Sequence, residues 1–189
     1  MKKNNIMIFS LLLLLISSCS NKQEKDTVSP GKLAQELRLT IKNIVKAAAT
    51  GLGGIVIDRD GKVDTALIRK FVANADFLDD KTGYFFVNDF TNNYIIANPK
   101  EPNAVGNDGS NRKDYRGNFF IRLMANKAIT GGGYLNYFVK DTATGKEQIK
   151  ESYVEIIPNT NFYIGAGQYI GLTNYPRYRN SPQPSNPRQ

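Results

Sequence analysis

Apolar residues follow three different patterns along this chain, and each pattern predicts a different kind of element. Between Leu33 and Ala48 they stand at Leu33, Leu37, Ile41, Ile44, Val45 and Ala48. Steps of three and four place them on one face of a helix of about five turns. Ser29 is a suitable N-cap, Pro30 fits the first helical position and Gly51 offers a stop. A β-branched run, Ile55-Val56-Ile57, ends in the turn Asp58-Arg59-Asp60-Gly61. Asp64 can then cap a shorter helix carrying Leu67, Ile68, Phe71 and Val72.

From Tyr84 the pattern becomes that of strands. Tyr84 to Asn88 and Tyr94 to Ala97 are aromatic and β-branched and flank the polar turn Thr91-Asn92-Asn93, as in a hairpin. Pro99, Pro102 and the turn residues Gly106, Asn107, Asp108 and Gly109 mark a long irregular crossing. It ends where Asn118 opens a helix with Phe119, Phe120, Leu123 and Met124. Long ordered loops of this kind usually carry function. Three more strands follow, Tyr134 to Lys140, Gln148 to Ile157 and Phe162 to Ile170, with turns at Asp141 to Lys146 and Pro158-Asn159-Thr160. The expected class is α+β: a long N-terminal helix, then a five-stranded antiparallel sheet with a helix and loop crossing one face. Gly131-Gly132-Gly133 leads from a helix into a strand, the reverse of a phosphate loop, and reads as a helix stop.

The third pattern is the uninterrupted apolar run Ile6 to Ile16, preceded by Lys2 and Lys3 and followed by Ser17-Ser18-Cys19. A charged region, a short apolar region and a small-residue cleavage site predict a signal peptide over residues 1–18. The run is about half of the roughly twenty residues a membrane span needs. Cysteine directly after Ile16-Ser17-Ser18 resembles the lipobox of bacterial lipoproteins, which would make Cys19 the lipidated first residue of the mature chain. Residues 19–28 are polar and read as a tether, 29–172 as one domain, and the Pro-, Ser- and Asn-rich stretch 173–189 as a disordered tail.

Five blocks recur inside that domain in a fixed order. They are Gly83-Tyr84-Phe85-Phe86-Val87, Asn98-Pro99, Asp114-Tyr115-Arg116-Gly117, Lys150-Glu151-Ser152-Tyr153-Val154 and Ile164-Gly165-Ala166-Gly167-Gln168-Tyr169-Ile170. Their order and spacing resemble a single Cache domain, the extracytoplasmic PAS-like sensor module of bacterial receptors. The resemblance implies a small-molecule sensor without catalytic activity, whose ligands in domains of this pattern are often short organic acids. With no later apolar run long enough to cross a bilayer, the signal would pass to a separate partner such as a membrane kinase, chemoreceptor or transporter. The long N-terminal helix of such domains packs along the domain and often against a second copy, so a homodimer is an option. Three departures from the family pattern bear on ligand identity: Asn98 where many members carry His, Val139 and Phe162 where Trp is common, and Gly171-Leu172 in place of an acidic pair.

Composition narrows the chemistry. There is no histidine and one cysteine in 189 residues, which removes Ser-His and Cys-His catalysis, zinc hydrolysis and disulfides; no cofactor or transition metal is expected. Asp58, Asp60, Gly61 and Asp64 lack the ligand count of a calcium loop, with Arg59 and Lys62 among them, and read as a turn and a cap. Adjacent Asp79 and Asp80 read as solvated. Net charge falls from +8 to +6 once Lys2 and Lys3 are removed and the excess is scattered, so no nucleic-acid partner is expected.

The candidate ligand contacts are Tyr84 and Phe86 on the first strand, Tyr137 on the third, Lys150, Ser152 and Tyr153 on the fourth, and Asn98, Arg112, Lys113 and Arg116 in the crossing. Alternation puts Tyr84 and Phe86 on one face, whereas Ser152 and Tyr153 must point to opposite faces. Lys150 beside tyrosine hydroxyls would be a receptor for a carboxylate. Its competing assignment is a strand lysine that snorkels to water or guards a sheet edge. Tyr137 and Tyr153 have core packing as their alternative. A cavity filled by Phe86, Tyr137 and Tyr153 would instead leave a structural or interaction lipoprotein that keeps the fold without a ligand.

Overall fold

A computed structural model describes residues 30–78, 83–140 and 145–170. The signal segment, Cys19, the tether, Asp79, Asp80, Gly171-Leu172 and the tail lie outside the described residues. Helix α1 spans Pro30–Gly53 and α2 Thr65–Asn74; strands β1 (Phe85–Asp89) and β2 (Ile95–Ala97) form a hairpin. A crossing with one 3-10 turn at Pro102–Ala104 leads to α3 (Phe120–Ile129), then β3 (Gly133–Lys140), β4 (Glu147–Ile156) and β5 (Phe162–Ile170). The strands make one antiparallel sheet in the order β2-β1-β5-β4-β3. Because β1 and β2 lie on one side of β5 and β3 and β4 on the other, the connection from β2 to β3 must traverse the sheet. Among the described residues no helix is long and apolar enough to cross a membrane.

Strand alternation splits the apolar side chains between two cores. Phe85, Val87, Tyr153, Phe162, Ile164 and Ala166 point to the face covered by Ile41, Val45, Ala49 and Leu52 of α1 and Ile68 and Val72 of α2. Each fully buried aliphatic side chain there contributes roughly 1.5–3 kcal/mol. Phe86, Tyr137, Val154 and Tyr163 point to the other face, against Met124, Ala125 and Ala128 of α3. The second face is the one the crossing covers, and it carries the site.

Local signals explain most element ends. The Asp64 carboxylate accepts from the Leu67 N–H at 3.0 Å and caps α2. Gly131, Gly132 and Gly133 have φ of +101°, +79° and +148°, a backbone region L side chains rarely adopt, and this stops α3 before β3 begins. Ile55-Val56-Ile57 ends in the expected turn at Asp58 to Gly61, which folds the chain back so that Ile57 bridges Val63. Two expectations differ from the structure. Leu33 is 59 % exposed, because the apolar stripe of α1 meets the sheet only from Leu37 onward. Asn118 does not cap α3: its side chain bonds the Asp114 carboxylate at 3.1 Å, and Phe119 occupies the cap position with no side-chain bond.

Asp114 is the clip that holds the crossing to the sheet. Its carboxylate accepts from the N–H groups of Arg116 and Asn118 at 2.9 Å and from that of Phe138 on β3 at 3.2 Å. Burial alone would raise the pKa of this carboxyl, yet these bonds with those of Asn118 hold it below the usual carboxylate range.

The glycines of β5 shape the covered face. A Cβ at Gly165 would lie 2.5 Å from Phe86 Cζ, and one at Gly167 would collide with Ser152 Oγ and the Glu151 carbonyl oxygen. The latter obstacle is backbone in the sheet and cannot move cheaply. Gly167→Ala should therefore destabilise the domain by about 1–3 kcal/mol, the usual cost of overpacking. The expected observation is a lower denaturation midpoint with an unchanged denaturant slope; a midpoint equal to the parent's would show that the sheet absorbs the methyl group.

Candidate functional site

Antiparallel register brings together side chains far apart in the chain. Lys150 on β4 pairs with Tyr137 on β3 and with Tyr169 on β5, so the three stand in a row on the covered face. Tyr84, just before β1, and Phe86 extend the row, while Asn98, Lys100, Glu101 and Arg112 of the crossing and Phe120 and Met124 of α3 form the roof. They enclose a cavity of about 80 Å³.

Lys150 occupies the floor. It is 2 % exposed, its Nζ donates to the Tyr84 hydroxyl at 2.6 Å and lies 3.9 Å from the centre of that ring, with the Tyr169 ring at 5.3 Å. β4 is flanked on both sides by strands, so Lys150 neither guards an edge nor reaches bulk water. Among the described residues no carboxylate forms a salt bridge with it. Burial lowers its pKa to about 7, with the charge of Glu101 opposing and that of Lys100 adding to the fall.

The tyrosines around it stay protonated. Burial raises the Tyr84 hydroxyl far above its ordinary value, with help from Tyr137 and Tyr169, and burial raises that of Tyr137 as well. Tyr137 stacks on Phe120 at 5.1 Å with planes 3° apart and shares a hydrogen bond of 3.0 Å with Ser152 Oγ. Ser152 is fully buried beneath that ring and positions it. Asn88, also on the lining, donates to the Tyr163 hydroxyl at 2.9 Å.

The mouth is charged. Arg112 and Glu101 form a bidentate pair, Nη1 to Oε2 at 2.7 Å and Nη2 to Oε1 at 3.0 Å. Beyond them lies an outer groove of about 300 Å³, walled in common with the cavity by Glu101, Arg112, Phe120, Val139 and Lys140. The cavity lining carries Lys100, Arg112, Lys140 and Lys150 against Glu101, an excess of positive charge suited to an anion. Among the described residues no group of three or more carboxylate, imidazole or thiol side chains stands together to hold a metal ion.

Of the residues singled out from the sequence, Tyr84, Phe86, Asn98, Arg112, Tyr137 and Lys150 line the cavity. Asn98 also shapes its own loop, its Oδ1 accepting from the Lys100 N–H at 3.1 Å. Four do not line it. Lys113 borders only the outer groove. Ser152 lies beneath Tyr137. Tyr153 faces α1, meeting the Tyr134 ring at 4.9 Å and donating to Glu155 at 2.7 Å, because its parity on β4 is opposite to that of Lys150. Arg116 lies outside, 4.8 Å over the Phe138 ring and 3.9 Å from the Glu147 carboxylate, since the Asp114 clip turns its backbone toward β3. Phe86 and Tyr137 border the cavity and leave it open.

Sequence reasoning missed Asn88, Lys100, Glu101 and Tyr169. Tyr169 was within reach, because it shares parity with Gly165 and Gly167 in a block already recognised. Lys100 and Glu101 carried no signal beyond following Asn98-Pro99.

Comparisons with known proteins agree with this fold. The Cache domain family matches residues 51–173. The sensor histidine kinase MctS of Rhizobium johnstonii is 29 % identical over 131 residues, covering 69 % of this chain and 28 % of the kinase. The chain thus spans little more than a quarter of that relative's length. Among solved structures, a Cache chemosensory domain described for carboxylic acid recognition superposes with a TM-score of 0.63 at 21 % identity, covering 75 % of this chain and 99 % of that one. A periplasmic sensor domain of a chemotaxis protein gives 0.61 at 21 % identity, covering 74 % and 99 %. A methyl-accepting chemotaxis protein from Vibrio parahaemolyticus gives 0.57 at 23 % identity, covering 74 % and 95 %. At these identities the likeness shows the fold.

A lysine whose folded pKa is depressed to about 7 makes stability depend on pH in a definite direction. Between that value and the ordinary lysine range the unfolded chain binds the extra proton, so the contribution of Lys150 to stability rises with pH across that window and is lowest below about 7. Lys150→Met keeps the apolar stem and removes the titration. The variant should exceed the parent in stability at pH 6, and the gap should shrink steadily toward pH 10. Urea midpoints of both proteins across that range test this; a constant gap would mean that Lys150 is not buried as a free ammonium.

Proposed function

The chain belongs to the Cache domain family, and we propose that it is a lipid-anchored extracytoplasmic sensor that holds a short organic acid on Lys150 and signals through a separate partner protein. The carrying observation is a buried ammonium that, among the described residues, has no salt-bridged carboxylate and lines a small cavity whose other charged groups are mostly cationic. A bound carboxylate would supply the missing counter-charge, and the Tyr84 and Tyr137 hydroxyls would supply directed hydrogen bonds. Size supports a small ligand. At about 30 Å³ per water in the liquid, about 80 Å³ is roughly the volume of two or three waters. That accommodates the smallest monocarboxylates, with the adjoining groove open to a longer chain. Lys100 and Arg112 take the place of Arg116 as the cations of the crossing nearest the ligand.

Acid binding is measurable without knowing the ligand. Acetate, propionate, lactate and pyruvate would be screened by thermal shift. A ligand at one hundred times its Kd stabilises the folded state by about 2.7 kcal/mol, which raises the Tm of a domain this size by roughly 5–10 °C. Lys150→Met should abolish the shift. Affinity should also fall with pH above about 7, approaching tenfold per unit, because a neutral Lys150 must take up a proton to pair with the anion. An acid that binds Lys150→Met as tightly as the parent would refute the assigned role of Lys150.

The anchor rests on Cys19 behind the short apolar run Ile6 to Ile16. Acylation with two or more chains at about 0.8 kcal/mol per buried methylene would give stable attachment. Cys19→Ala expressed in a bacterial host should lose incorporation of a fatty-acid analogue and leave the membrane fraction on a high-salt wash. Retention of Cys19→Ala in washed membranes would overturn the lipid anchor.

A further inference from the structure

The Glu101–Arg112 pair stands where the inner cavity meets the outer groove, and both residues line both spaces. The pair is bidentate, at 2.7 and 3.0 Å, yet its side chains are 42 % and 35 % exposed. Arg112 is held from below by the Phe120 ring at 5.6 Å, which is itself stacked on Tyr137. Glu101 is set by its backbone N–H bonding the Asn98 carbonyl at 3.2 Å, just ahead of the 3-10 turn. Among the described residues Glu101 is the sole carboxylate on the cavity lining, and it sits on the one guanidinium there, the group best shaped to receive a ligand carboxylate.

We propose that Glu101 determines ligand class: it occupies Arg112 and places negative charge at the mouth, so that the site accepts short monocarboxylates and rejects dicarboxylates. This rests on the acid-binding reading above and adds its selectivity. An acid seated on Lys150 that extends toward the groove meets a carboxylate already bound to Arg112. A second anionic group there is repelled by Glu101 and finds the fork of Arg112 taken. Without the charge of Glu101, Arg112 becomes a bidentate receptor at the entrance of the larger groove, where a longer dianion has room. Because the pair is partly exposed, screening keeps the discrimination near one order of magnitude.

The test compares the tightest-binding acid among acetate, propionate, lactate and pyruvate with succinate, by titration calorimetry near pH 7. The parent should prefer the monocarboxylate at least tenfold. Glu101→Gln keeps the shape and removes the charge, and should move the ratio at least tenfold toward succinate. Adding Arg112→Gln should return the ratio to within about threefold of the parent's, because the freed guanidinium is what receives the second carboxylate. A ratio unchanged in Glu101→Gln, a gain that survives Arg112→Gln, or a parent that binds succinate as tightly as the monocarboxylate would overturn the inference and leave the acid-binding reading intact. A parent that binds none of the acids would overturn both.

Discussion

An ammonium removed from water loses hydration worth several kcal/mol unless something nearby replaces it. Among the described residues the replacement around Lys150 is incomplete: one tyrosine hydroxyl and two aromatic faces, at 2.6, 3.9 and 5.3 Å, with no salt-bridged carboxylate. Much of the covered face is arranged around that shortfall. Tyr84 and Tyr137 keep their protons because they are buried beside it, Ser152 holds the Tyr137 ring upright, and the glycines of β5 leave the space in which Phe86 and Ser152 fit. The proposed anion would relieve that residual cost, since it would bring the counter-charge that no described carboxylate supplies through a salt bridge.

The opposite face of the same strands is conventional by comparison. Helix α1 lays Ile41, Val45, Ala49 and Leu52 on the sheet, and its outer half is fastened at Arg38. The Arg38 guanidinium lies 3.9 Å over the Tyr134 ring and 3.1 Å from the Glu151 carboxylate, while the Tyr134 hydroxyl donates to the Arg38 carbonyl at 2.7 Å. Glu151 follows Lys150 on β4 with opposite parity. One strand therefore carries the cavity-facing charge on one side and the helix clamp on the other, so the cavity and the helix that leads to the N-terminus share a rigid element.

Much of this was legible in advance, and the failures share a cause. The five blocks and the periods identified the helices, the strands and the covered face, and Tyr84, Phe86, Asn98, Tyr137 and Lys150 do line the cavity. Arg116 and Tyr153 do not, and Lys100, Glu101, Asn88 and Tyr169 were overlooked. Tyr153 was decided by parity that became definite only once Ser152 or Lys150 was assigned a face. Arg116 was decided by Asp114, whose carboxylate collects backbone bonds from both ends of its turn and from β3.

The sequence by itself determined the α+β class, the element order and the family, because amphipathic period, β-branching, caps and glycine stops act over a few residues and survive as pattern. It also determined that these 189 residues supply no imidazole, since they include no histidine. Only the tertiary structure decided that Lys150 is buried with no salt-bridged carboxylate among the described residues, that Tyr169 stands beside it, and that Glu101 closes on Arg112 at the mouth. Those facts depend on strand register and on how a long crossing settles on a sheet, and both are fixed by contacts between residues whose separation along the chain leaves no periodic trace.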